Sequence, residues 1–180
     1  MSLDVTDFDA VKALPLLYPD VTLVVNNARY LASGSSLDNF ESAVNEMNVN
    51  YLAPLAIVQS FAPFWRKSIL LNNIKGSSKD THATTAVINI SSIGGLINLP
   101  GGATYSASKA AAHLLTQAQR RDLFGYSLVV GVYPGPIDTD MGAQFSETSP
   151  PSAVANAVVD ALTQGAEDVF PDTMPQKLYQ

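Results

Sequence analysis

Thr85-Ala-Val-Ile-Asn-Ile-Ser-Ser92, followed a short way on by Thr104-Tyr-Ser-Ala-Ser-Lys109, is the stretch on which the fold turns. Its first six residues make an apolar, β-branched run of strand length, which delivers Ser91 and Ser92 to its carboxyl end. The second segment opens a helical pattern. Tyr105 and Lys109 stand four residues apart and so share one helix face. The Lys109 ammonium is then expected to favour the ionised Tyr105 phenol. A phenol titrates near ~10, and bringing it to about 7 takes roughly 4 kcal/mol of differential stabilisation. A cation in a partly dry pocket can supply that. The pair reads as a proton-transfer site with a serine beside it.

Outward from this stretch, two more apolar runs read as buried strands, at 21–25 and 128–133, and a last short one is expected at 168–171. Helical sequence separates them. Residues 38–66 carry Phe40, Ala43, Val44, Met47, Tyr51, Leu55, Val58 and Phe61 at helical spacing, with Ser36 or Asp38 as N-cap. Pro54 and Pro63 should kink or end that helix. Residues 105–124 form a second helix closed by Gly125, and 152–164 a third after Pro150-Pro151. The polar stretch 72–81 reads as a surface loop. Alternating strands and helices imply one α/β domain with a parallel, right-handed sheet. Ligands of such sheets gather outside the carboxyl ends of the strands. There the sequence places Asn26-Asn-Ala28, Ser91-Ser92 and Pro134-Gly-Pro-Ile-Asp-Thr139.

The 180 residues, 47% hydrophobic and 14% charged, suit a globular domain. Ten basic residues against sixteen acidic ones give a net charge of −6, which disfavours nucleic acid or an anionic membrane surface as partner. No cysteine is present, so disulfides, thiolate nucleophiles and zinc–thiolate sites are excluded. His82 and His113 stand apart and read as ordinary residues, not metal ligands. The start carries no basic n-region, and no apolar run approaches the ~18 residues of a membrane span. A soluble, cytoplasmic protein is expected.

A lone Tyr-x-x-x-Lys is a weak signal; its weight here comes from joint order. Asn-Asn-Ala after a strand, Asn50 in a helix, Ser92 after a strand, Tyr105 and Lys109 opening a helix, then Pro134-Gly135 after the next strand form one ordered set. That set resembles the short-chain dehydrogenase/reductase family over nearly the whole chain. The resemblance implies a Rossmann-like parallel sheet with flanking helices and an NAD- or NADP-dependent interconversion of a carbonyl and an alcohol. By the same resemblance, Tyr105 would be the general acid and base and Ser92 would hold the substrate oxygen. Lys109 would depress the tyrosine pKa and bind the nicotinamide ribose, and Asn50 would hold a water on the proton path. Asn26 and Ala28 would line a ribose, and Asp4 and Val5 would contact the adenine. Pro134, Gly135, Ile137 and Thr139 would close over the nicotinamide. Pro54 gives local support for the Asn50 water, since it leaves the Asn50 carbonyl without its i+4 donor; the same proline also reads as a packing kink.

Two departures stand out. The family's glycine-rich Thr-Gly-x3-Gly-x-Gly turn, which meets the pyrophosphate, does not occur in these residues. Relative to the family, the domain reads as N-terminally truncated, lacking two strands and two helices ahead of Asp4, with an exposed edge expected at strand 21–25. Arg29 stands where the family has glycine, a strained choice if that backbone needs positive φ. An alternative reading is therefore a non-catalytic relative acting as a binding or assembly module. A homodimer is implied by resemblance, through the helices at 38–66 and 105–124. The substrate pocket should be apolar, with Leu96, Met141 and Phe145 on its wall.

Overall fold

A computed structural model describes residues 2–32, 34–74, 85–143 and 145–173. Four parallel strands, β1 (Leu23–Asn26), β2 (Thr85–Ile90), β3 (Ser127–Val132) and β4 (Asp168–Val169), pair in the order β1-β2-β3-β4. Five α-helices accompany them: α1 (Phe8–Leu17), α2 (Phe40–Met47), α3 (Ala53–Ile74), α4 (Ala103–Asp122) and α5 (Pro151–Gln164). The result is the expected Rossmann-like α/β architecture.

Side-chain alternation decides which helix covers which face. Val24, Val87 and Val129 point one way and pack with Val58, Phe61 and Trp65 of α3 and with Leu123 just past α4. Phe61 and Trp65 stack at 5.6 Å, and the Trp65 indole Nε1 donates to the Val21 carbonyl at 2.9 Å, tying α3 to the chain entering β1. Ile88, Val130 and Val132 point the other way, toward Ala161 of α5. The β2-to-β3 and β3-to-β4 connections step sideways in the same direction, with α4 and α5 on opposite faces. Their crossovers therefore have opposite hands, and the uniform right-handedness expected from strand–helix alternation fails at one of them. Residues 133–150 give the chain the length to change faces.

Several boundaries differ from the sequence reading. Helix α1 was not expected; Asp7 caps it by accepting from the Ala10 N–H, and Pro15 sits inside it. The single helix expected over 38–66 is three pieces: α2, a π-turn at Asn48–Leu52, and α3. Its N-cap is Asn39, in the left-handed region at φ 52°, accepting from the Ser42 N–H. Pro54 falls just after the π-turn, where the helical chain runs on without a break and the Ala53 N–H reaches back to the Asn48 carbonyl. Pro63 lies inside α3 without ending it, so residues 72–74 are helical and not loop. The rest of that expected loop, and His82, lie outside the described residues.

At the β1 edge Leu23 and Val25 are 46% and 51% exposed, on the face that α5 covers farther along the sheet. Among the described residues, no helix is long and apolar enough to cross a membrane.

Candidate active site

Past Ile90 the chain stays extended. The Ser91 N–H bonds the Val132 carbonyl at 2.8 Å and the Ile93 N–H bonds the Pro134 carbonyl at 3.0 Å, stitching the loop after β2 to the loop after β3. Ser92 caps a 3-10 turn at Ile93–Gly95, its Oγ accepting from the Gly94 N–H at 3.0 Å. A Cβ on Gly95 would come within 2.6 Å of the Lys109 carbonyl oxygen. Glycine thus lets the serine loop rest directly on α4, the helix that carries Tyr105 and Lys109. Ser91 turns toward that helix as well, with its Oγ 3.5 Å from the Lys109 carbonyl.

Tyr105 and Lys109 are both buried, one turn apart. The Lys109 Nζ donates to the Ile90 carbonyl at 2.9 Å and lies 5.8 Å from the centre of the Tyr105 ring. Burial pushes the Lys109 amine down to about 7, and the Arg29 guanidinium adds to the shift. Burial pushes the Tyr105 phenol up. A hydrogen bond with the Ser92 side chain and the positive charge of Arg29 pull it back, while Glu46 reinforces the rise. Lys109 is not among the groups that set this shift, whereas the sequence led to an amine that makes the phenol acidic. One N–H of the amine goes to the Ile90 carbonyl, and its own charge is disfavoured by the same dry surroundings.

Asn50 is 2% exposed in the π-turn. Its Nδ2 donates to the Tyr30 carbonyl at 2.8 Å and to the Ser108 Oγ at 2.9 Å, and its Oδ1 accepts from the Tyr30 N–H at 3.0 Å. The side chain fastens the loop after β1 to α4. A cavity of about 10 Å³, bounded by Asn50, Pro54, Ser91 and Lys109 among others, lies beside it. That is about the space of one water.

Around these groups lie two larger hollows. One of about 200 Å³ is walled by Ser92, Tyr105 and a mostly apolar set that includes Met141 and Phe145. Leu96, expected there, does not line it; Ile93 and Leu99 take its place. The other, about 690 Å³, opens between the loop after β1 and α5, with Ala28, Pro134, Ile137 and Thr139 on its wall. Gly135 belongs to the smaller hollow, and its N–H donates to Asp172 Oδ2 at 2.9 Å. Asn26 donates from Nδ2 to Asn89 Oδ1 at 2.8 Å, while its own Oδ1 is buried with no hydrogen-bond partner. Val5 borders a recess of about 110 Å³ together with Asn26 and Ala28. Asp4 faces solvent, its carboxyl held low by hydrogen bonds from the Thr6 side chain and backbone.

Arg29 touches both hollows, and its Nη2 donates to Thr139 Oγ1 at 3.1 Å. Its φ is not positive, so the strain considered for a side chain at this position does not arise. Sequence reasoning missed two buried polar contributors. Glu46 is wholly buried and accepts from the Ala32 N–H at 2.9 Å. Asn89 donates to Thr116 Oγ1 and Gln119 Oε1 on α4 at 3.0 and 2.9 Å. A lone Asn inside the apolar run Ala86-Val-Ile-Asn-Ile90 was the available signal, since a buried amide demands partners.

The family model for short chain dehydrogenases matches residues 1–150. The chain belongs to the short-chain dehydrogenase/reductase family. An uncharacterized oxidoreductase of Staphylococcus epidermidis is 32% identical over 162 residues, covering 87% of this chain and 64% of that protein. A short chain dehydrogenase from Burkholderia cenocepacia, solved in complex with NADP, is 32% identical with a TM-score of 0.84 over 100% of this chain and 74% of that one. The NADPH-bound carbonyl reductase from chicken fatty liver is 25% identical, with a TM-score of 0.72 over 89% of this chain and 67% of that one. The chain spans less than two thirds of the length of the first curated family members it matches.

Proposed function

We propose that this family member interconverts a small-molecule carbonyl and its alcohol in an NAD- or NADP-dependent reaction at Ser92, Tyr105 and Lys109. The observation that carries the reading is the shared wall: Ser92 and Tyr105 face one 200 Å³ hollow, with Lys109 directly behind the phenol. The residues fit the nicotinamide–ribose end of a dinucleotide. Asn26 offers an unpartnered buried oxygen, Lys109 has N–H donors beyond the one given to Ile90, and Ala28, Pro134, Ile137 and Thr139 shape the adjoining 690 Å³ cleft. Gly135 and Tyr105 belong to the same end, with Val5 at the recess beside Asn26 and Ala28 and the solvent-facing Asp4 next to it in sequence as the adenine contacts.

When bound, a nicotinamide supplies the hydride for reduction or accepts it in oxidation. Ser92 orients the substrate oxygen, and Tyr105 gives it the proton that completes the alcohol, or takes that proton in reverse. A phenol with a raised pKa stays protonated at neutral pH, as reduction requires. Lys109, titrating near 7, and a water held beside Asn50 return the proton. A cytoplasmic setting and a homodimer through the helical run at 38–66 (α2 and the start of α3) and α4 complete the reading.

Titration with reduced nicotinamide cofactor, followed by its fluorescence, tests the binding half, and carbonyl-dependent cofactor oxidation tests the chemistry. Saturable binding, with turnover lost in Tyr105→Phe, is the expected result. A second reading, a non-catalytic binding or assembly module, draws on the exposed Leu23 and Val25 at the β1 edge. A defined oligomer in light scattering, with no saturable cofactor binding at millimolar concentration, would favour it.

A further inference from the structure

Arg29 is the one charged side chain on the wall of the Ser92–Tyr105 hollow among the described residues. The rest of that wall is apolar or neutral. Its guanidinium donates one hydrogen bond, to Thr139 Oγ1, and takes part in no ion pair among the described residues. A guanidinium carries five N–H donors in a planar fork that matches a carboxylate, so most of its capacity is directed at no described group. The side chain is close enough to the chemistry for its charge to act on both Tyr105 and Lys109.

We infer that Arg29 is a specificity residue that binds the carboxylate of an anionic substrate, so that the carbonyl compound taken by this site is a short oxo acid. The inference rests on the reading of Ser92 and Tyr105 as the reacting site. A hollow of about 200 Å³ is below the 300 Å³ or so at which drug-sized ligands begin to fit, which favours a compact substrate. Because Arg29, Ser92 and Tyr105 share one wall, a carboxylate on Arg29 leaves a nearby carbonyl in the same hollow as the two hydroxyls. The bond to Thr139 holds the guanidinium in place beforehand, which lowers the entropy lost on binding. Charge complementarity also acts on the phenol. A bound carboxylate cancels the positive charge that draws the Tyr105 pKa down, and so favours the protonated form that reduction consumes.

Arg29 also borders the 690 Å³ cleft, where a dinucleotide phosphate offers a second anion. The experiment separates the two. Acetoacetate and its neutral amide, acetoacetamide, are titrated into the full chain by NMR without nucleotide, using wild type, Arg29→Leu, Arg29→Lys and Tyr105→Phe. NADPH is titrated in parallel, and turnover of both oxo compounds is measured. Arg29 is exposed, and a thermal melt verifies that its variants fold.

Wild type is expected to bind acetoacetate on the order of tenfold tighter than the amide, the size of one charge-assisted contact. The preference should vanish in Arg29→Leu, persist in part in Arg29→Lys and survive in Tyr105→Phe. Equal affinity for acid and amide in wild type, or equal loss of both in Arg29→Leu, overturns the inference. So does an Arg29→Leu that weakens NADPH and leaves acetoacetate unchanged, which makes the guanidinium a phosphate ligand. Turnover without charge preference removes the role of Arg29 and leaves the reaction standing. Charge preference without turnover supports Arg29 and removes the reaction.

Discussion

Lys109 sets the first expectation at the residue scale. Its folded-state value of about 7 lies below the 10.5 of an unperturbed lysine. Between those values the unfolded chain holds a proton that the folded chain has released, so stability rises with pH across the window. Below about 7 the amine is charged in both states and the burial penalty is complete. Chemical denaturation from pH 6 to 10 should show this upward slope in wild type and a flatter one in Lys109→Met. The raised Tyr105 phenol makes a second. Reduction should hold level through neutral pH, whereas oxidation, which needs the phenolate, should still be rising at pH 10; initial rates in both directions check it. Ser92→Ala, by removing a hydrogen bond that pulls the phenol down, should move the oxidation limb to higher pH. Ser92 stood out because it follows a strand end, and Tyr105 and Lys109 because they open a helix; Asn50, inside a helical run, stood out only by its order relative to them. The direction of the phenol's shift was not, because it depends on burial, which spacing does not encode. Nor was the reach of Arg29 to Thr139, a contact across 110 positions.

At the scale of elements, β2 shows what periodicity captures and what it leaves out. Its bounds follow from an apolar run broken only by Asn89, and α5 follows from Pro151 at its start and Gly165, at φ 69°, at its end. Helix α1 escaped notice because Pro15 interrupts its pattern, and the π-turn before α3 because a single extra residue leaves no mark on hydrophobic spacing. Asn89 binds β2 to α4 through Thr116 and Gln119 and to β1 through Asn26. Replacing it with Ala removes a partner from three buried polar groups on two elements, Asn26 on β1 and Thr116 and Gln119 on α4. Asn89→Ala should cost about 1–3 kcal/mol per group left unsatisfied, read as a lowered urea midpoint. The same variant should loosen Asn26, which borders the recess of about 110 Å³ beside Val5 and Ala28, and so weaken cofactor binding without touching Tyr105.

For the whole molecule, the proposed reading seats only the nicotinamide end of a dinucleotide in the described hollows, and no glycine-rich turn occurs within residues 1–180 to meet its pyrophosphate. This chain should therefore bind reduced nicotinamide mononucleotide nearly as well as NADH, within about tenfold, a gap of about 1.4 kcal/mol. Paired fluorescence titrations measure the ratio, and a dinucleotide preference of several orders of magnitude would mean that groups within these residues hold the phosphates. The fold itself was legible at this scale because alternating strands and helices leave few arrangements. The change of hand between successive crossovers was not, because the rule for parallel strands favours one hand throughout.

Trp65 gives the molecule an optical gauge. It is the chain's single tryptophan, 4% exposed, stacked on Phe61 and bonded to the Val21 carbonyl. Its emission comes from one seam alone, where α3 seats on the strand at the sheet's edge. A red shift on titrating denaturant would mark that seam parting, and if it precedes the loss of helical ellipticity, the edge strand peels away before the rest of the sheet melts.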